Sequence, residues 1–108
     1  MRVQQQGQAL RVRIDESELA RLLAGDTVTN TTRWPDGSLQ VQRVILAEEA
    51  VWQHMADGWL VHVPATAVRD LATQLPSRDG LSFVLGGLVL SFDVDVRDSA
   101  RRLREGRA

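Results

Sequence analysis

Cysteine, lysine and tyrosine are all missing from this chain of 108 residues. Without cysteine there is no disulfide, no thiolate-held zinc, no iron–sulfur cluster and no thiol nucleophile. Without tyrosine or lysine, acid–base chemistry falls to two histidines and fourteen carboxylates. Long apolar runs are missing too. The longest, Phe83 to Leu90, has eight residues, against the ~20 of a membrane span. The opening MRVQQQGQALRV has no apolar core of the secretory kind, so the expectation is a soluble, cytoplasmic protein without membrane contact. The Asn30-Thr31-Thr32 glycosylation pattern is then empty.

Nucleotide and hydrolase signatures are absent as well. There is no Gly-x-Gly-x-x-Gly, no Gly-x-x-x-x-Gly-Lys and no Gly-x-Ser-x-Gly. Glu48 and Glu49 are adjacent, and neighbours on a strand point to opposite faces, which makes them a poor acid–base dyad. All thirteen basic residues are arginine. A GC-rich coding sequence accounts for this together with the abundant Ala, Val, Gly, Leu and Asp. A net charge of −1 gives no general pull toward nucleic acid or anionic membranes.

Apolar residues at 44% and charged residues at 25% describe an ordinary globular domain, and the length suits one. Leu10, Val12 and Ile14 alternate with Arg11 and Arg13, the period of a half-buried strand. Asp15 follows as a helix cap, with Glu18 three residues on completing a capping box. Leu19, Leu22 and Leu23 form the helix's apolar stripe, and Gly25 ends it. Thr27 to Trp34 reads as a strand, Pro35-Asp36-Gly37 as a turn, and Leu39, Val41 and Ile45 as the start of another strand.

A shift of 49 residues repeats this pattern. Leu10, Val12 and Ile14 become Trp59, Val61 and Val63, while Leu19 and Leu22 become Val68 and Leu71. Continued without a gap, the shift sets Trp34 on Phe83, Gly37 on Gly86, Leu39 on Leu88, Val41 on Leu90 and Ile45 on Val94. Gly86-Gly87 reads as a hairpin turn, and Asp57-Gly58 as a third, joining the halves between Val51 and Val63. The expected fold is α+β: one domain over residues 1–96, built from duplicated β-α-β-β units at about 10–46 and 59–96. Its mainly antiparallel sheet, covered by two helices, is open to curling into a barrel-like form.

The stretch LRVRIDESELARLLAGDTV, with the later VHVPATAVRDLA, resembles a small bacterial domain family of unknown function. Its members open on Leu-Arg-x-Arg-[Leu/Val]-x-x-Ser-Glu-Val and repeat a strand and a Pro-x-x-x-[Ala/Val] helix later in the chain. The resemblance runs from Leu10 to Leu90 and is most specific over Leu10 to Val28. It departs at the carboxy end, where the family tends to a charged strand with a nearby cysteine and this chain reads LSFDVDV. The resemblance implies the fold class and supplies no catalytic residues.

Four groups of residues are candidates for function. Arg11 and Arg13 share a strand face, suited either to a charge ladder with Asp93 and Asp95 or to binding an anion or nucleotide through paired guanidinium forks. The triphosphate-tunnel pattern, Glu-x-Glu-x-Lys, is not matched there. His54 and His62, across the hairpin that holds Asp57, are the candidate metal ligands, although a third ligand is wanting. The tail from Arg97 carries five arginines against Asp98 and Glu105; Arg101, Arg102 and Arg104 would touch nucleic acid if it bound any. Trp34 and Trp59 fall at core positions of the repeat, whereas Trp52, flanked by Val51 and Met55, is the best anchor for a protein contact.

The favoured reading is a non-enzymatic binding or assembly module without a cofactor, acting on a protein partner or on its own copy as a homodimer. A small anion or nucleotide binder, or an enzyme built on Arg11 and Arg13, is the alternative, ahead of nucleic acid bound by the tail.

Overall fold

The computed structural model describes residues 1–76 and 79–96. The first half of the chain contains β1 (Arg2–Gln6), β2 (Ala9–Asp15), α1 (Glu16–Leu23), β3 (Val28–Arg33) and β4 (Leu39–Ala47). The second contains β5 (Val51–Met55), β6 (Gly58–Pro64), α2 (Ala65–Thr73), β7 (Leu81–Leu85) and β8 (Leu88–Asp95). These strands make two four-stranded mixed sheets, ordered β1-β2-β8-β7 and β3-β4-β6-β5. We call them the first and second sheet. Neither closes into a barrel.

Each sheet takes one hairpin from each half, joined by a central parallel pair. β2 runs parallel to β8, with Leu10 beside Leu90 and Val12 beside Phe92. β4 runs parallel to β6, with Gln42 beside Trp59 and Val44 beside Val61. The hairpins supply the antiparallel pairs. The sequence marks the hairpin turns but not the parallel contacts, which join residues as much as eighty positions apart.

The core lies between the sheets. Leu10, Val12, Ile14, Leu90, Phe92 and Val94 face it from the first; Val28, Val44, Trp59, Val61 and Val63 from the second. The helices do not cover one common face. α1 touches β2 and β8 of the first sheet and β3 and β4 of the second, and α2 touches β6 and β7. Leu19 and Leu22, then Val68 and Leu71, fill the gap. Burying each such side chain contributes about 1.5–3 kcal/mol.

The Asp15 cap forms as its spacing predicts. The Glu18 N–H donates to Asp15 Oδ1 at 2.7 Å, and the Asp15 N–H donates to Glu18 Oε1 at 3.0 Å. Glu18 Oε2 also accepts from the amino terminus at 2.7 Å. α2 begins after Pro64 and has no side-chain cap.

Several details depart from the sequence reading. β1, RVQQQ, is a strand that its polar sequence conceals; it pairs with β2 around a turn at Gly7, whose φ is +54°. The constant shift of 49 fails in the last hairpin. β4 buries Gln42 and Val44, while Val41 and Ile45 lie on its other side. Trp34 is not in the core: it is 48% exposed, at the mouth of the turn where the Gly37 N–H donates to its carbonyl. The β5–β6 turn is one residue earlier than expected, since Met55 pairs with Gly58. Gly58 is needed for close packing: a Cβ there would strike the backbone carbonyl of Val41.

Candidate functional site

The outer faces of the two sheets differ in kind. On the first, β1 offers Arg2 and Gln4, β2 offers Arg11 and Arg13, and β8 offers Ser91 and Asp93. Arg13 Nε donates to Asp93 Oδ1 at 3.0 Å, and Arg11 Nε lies 3.9 Å from Asp93 Oδ2. The hydrogen bond and charge of Asp93 hold the Arg13 guanidinium above its ordinary pKa. The expected ladder therefore exists at Asp93, and Asp95, in register with Asp15, adds a smaller electrostatic pull on Arg13. Arg2 sits directly across from Arg13, and Gln4 across from Arg11. Together the four line a shallow dish of about 90 Å³. Sequence reading missed Arg2 and Gln4 because β1 carries no apolar alternation.

The outer face of the second sheet is mixed: Thr29, Thr31 and Arg33 line it along β3, and it turns more apolar toward β5. Its rows run Val41–Gly58–Met55, Arg43–Leu60–Gln53 and Ile45–His62–Val51 across β4, β6 and β5. A strong polar contact there is bidentate: Arg43 Nη1 and Nη2 donate to Asp57 Oδ1 and Oδ2 at 2.9 and 2.7 Å. This pairing lowers the Asp57 pKa and raises that of Arg43. Asp57 thus anchors an arginine and is committed away from any metal.

Strand β5 ends this sheet. Val51 is 42% exposed and Trp52 40%, and Gln53 and His54 are exposed too. Trp52 and His54 point to the core side of the strand, with ring centroids 6.2 Å apart. His54 pairs with Trp59, and His62 with Val51. The two histidines therefore lie on opposite faces of the sheet, not across from each other, and form no two-His site. Among the described residues no group of three or more acidic or histidine side chains could hold a metal ion. Arg101, Arg102 and Arg104 lie outside the described residues.

Between the sheets, residues of β1, β2, β5 and β6, with Leu88 of β8, line a cleft of about 190 Å³. Its walls include Leu10, Leu88, Trp52 and Trp59. Among the described residues no helix is long and apolar enough to cross a membrane. No family model matches the chain, and no curated protein matches it.

Proposed function

We propose that this domain is a non-enzymatic assembly module of the bacterial cytoplasm that pairs with a second copy of itself through β5. The observation that carries the reading is the composition of that edge. Natural sheets protect their edges with charge, proline or covering segments. β1 has Arg2, β3 ends on Arg33, and the apolar edge β7 is half-buried and touches α2, but β5 reads Val-Trp-Gln-His-Met and is exposed on both faces. Antiparallel pairing of two β5 strands about a two-fold axis satisfies their open backbone groups and buries Val51 and Trp52. The more apolar β5 side of the second sheet's outer face extends that contact. Met55, at the far end of β5, marks its limit. The matching element order of the two halves, with β2 and β6 and the two helices related by 49 residues, supports internal duplication as the origin of the fold.

Val51→Lys tests this. Val51 lies on the outer face at the open edge, so the variant should fold normally, and native mass spectrometry should find it monomeric where the parent is dimeric. A monomeric parent at micromolar concentration would refute the reading.

A second reading rests on the arginine dish. Asp93 engages Arg13 and Arg11 from their Nε side, which leaves the outer nitrogens to fork onto a phosphate or carboxylate. Arg2 would add a third donor. Saturable shifts of the Arg2 and Arg11 resonances with inorganic phosphate would favour this reading over self-pairing.

A further inference from the structure

The two sheets repeat one strand plan. In each, an edge strand pairs antiparallel with a central strand, and that strand runs parallel to the next. On the outer face of the first, Arg2 lies across from Arg13 and Gln4 from Arg11, with Asp93 and Ser91 beside the two arginines. At the matching places of the second, Val51 lies across from His62 and Gln53 from Leu60, with Ile45 and Arg43 beside them. The plan therefore folds without three guanidiniums on one patch. Like charges directly opposite one another also destabilise a sheet. Arg2 has no ion-pair partner among the described residues to offset this.

The dish of about 90 Å³ is lined by Arg2, Gln4, Arg11 and Arg13, all of them hydrogen-bond donors, and no carboxylate lines it. Asp93 takes the Nε side of Arg11 and Arg13 from beside the dish. Its volume has room for a few water molecules. That suits an oxyanion head and falls well below the roughly 300 Å³ at which pockets enclose whole ligands. A carboxylate or a phosphodiester offers two free oxygens and one negative charge. A terminal phosphate offers three oxygens and nearly two charges, a count that three guanidiniums on neighbouring strands match. We infer that the dish holds the terminal phosphate of a monoester. Arg2, Arg11 and Arg13 meet its three free oxygens, and the ester oxygen turns outward. This rests on the anion reading of the dish and adds the class of ligand.

The test titrates the full chain with methyl phosphate, inorganic phosphate, dimethyl phosphate and acetate at fixed ionic strength, following the backbone amide signals of β1 and β2. The pH is held above the second phosphate pKa of about 6. Methyl phosphate should give saturable shifts there, bind comparably to inorganic phosphate, and bind about tenfold more tightly than dimethyl phosphate or acetate. Arg2→Gln changes an exposed side chain at the start of β1. It should erase that preference and leave acetate binding little altered. Arg11→Gln should do the same, and it serves if β1 detaches in the first variant. Arg33→Gln removes an equal charge from the other sheet and should change nothing. No saturable shift with any of these anions would overturn the anion reading and the inference together. Equal binding of methyl and dimethyl phosphate would leave the anion reading standing and overturn the monoester. Binding of inorganic phosphate without methyl phosphate would do likewise. An equal loss in Arg33→Gln would reduce the effect to overall charge and overturn both.

Discussion

The two sheets share one plan and differ in what they turn outward. The first shows Arg2, Arg11, Arg13 and Asp93, and its apolar exposure is confined to Val84 and Val89 near the β7–β8 turn. The second shows Val41, Ile45, Leu60, Val51 and Met55 across β4, β6 and β5, with the Arg43–Asp57 pair among them and Thr29, Thr31 and Arg33 along β3. Inside, both are apolar: the first sheet meets the core with Leu81, Phe83, Leu90 and Phe92, and the second with Val28, Val44, Trp59, Val61 and Val63 beside the Asn30–Gln42 amide pair at 2.8 Å. β4 thus turns more of its apolar residues away from the core than toward it. A strand built this way suits a sheet with a second surface to cover, and this is why the second sheet, not the arginine-bearing first, is the better candidate for a contact with another chain.

Five substitutions, at three places in the fold, sharpen the comparison. The largest effect belongs to the inner faces. Phe92 and Val44 are both fully buried beside a valine of the neighbouring parallel strand. Phe92→Ala should lower stability to urea by about 3–5 kcal/mol, while Val44→Ala, which leaves a smaller cavity, should lose clearly less. Next come the helix entries. Asp15→Ala removes a capping box and should lose about 1 kcal/mol, whereas Pro64→Ala removes no side-chain cap and should fall well short of that. The smallest change belongs to the outer face of the first sheet. Asp93→Asn weakens a partly exposed ion pair and should shift stability by less than about 1 kcal/mol, a difference that added salt should shrink further.

Local chemistry was legible in the sequence. The Asp15–Glu18 box, the turns at Gly37 and Gly86, and the alternation of Leu10 to Ile14 all report short-range preferences, and each forms where its spacing indicates. The Arg13–Asp93 contact also followed from alternation, once the first and last strands were taken as neighbours. What stayed hidden is set by distant partners. In LQVQRVILA both alternating sets contain apolar residues, so the sequence alone favours Leu39, Val41 and Ile45 as the buried set. Pairing with β6 decides otherwise, since Gln42 and Val44 must follow Trp59 and Val61 to the inside. β1 escaped notice because its strand state comes from backbone pairing with β2 and not from its own side chains. The histidine pair failed on parity: around a two-residue turn His54 pairs with Trp59, and His62, three positions further on, faces the other side of the sheet.

The pairing of β2 with β8 also has a consequence in time. Leu10, Val12 and Ile14 complete their sheet only with a strand about eighty residues further along. During synthesis, the first half of the chain emerges with that apolar edge open and stays so until the last strand arrives. Closing so long a loop delays folding more than it weakens the folded state. Early in its life the nascent chain is therefore most exposed to wrong partners along β2, a strand that in the finished protein lies at the centre of its sheet.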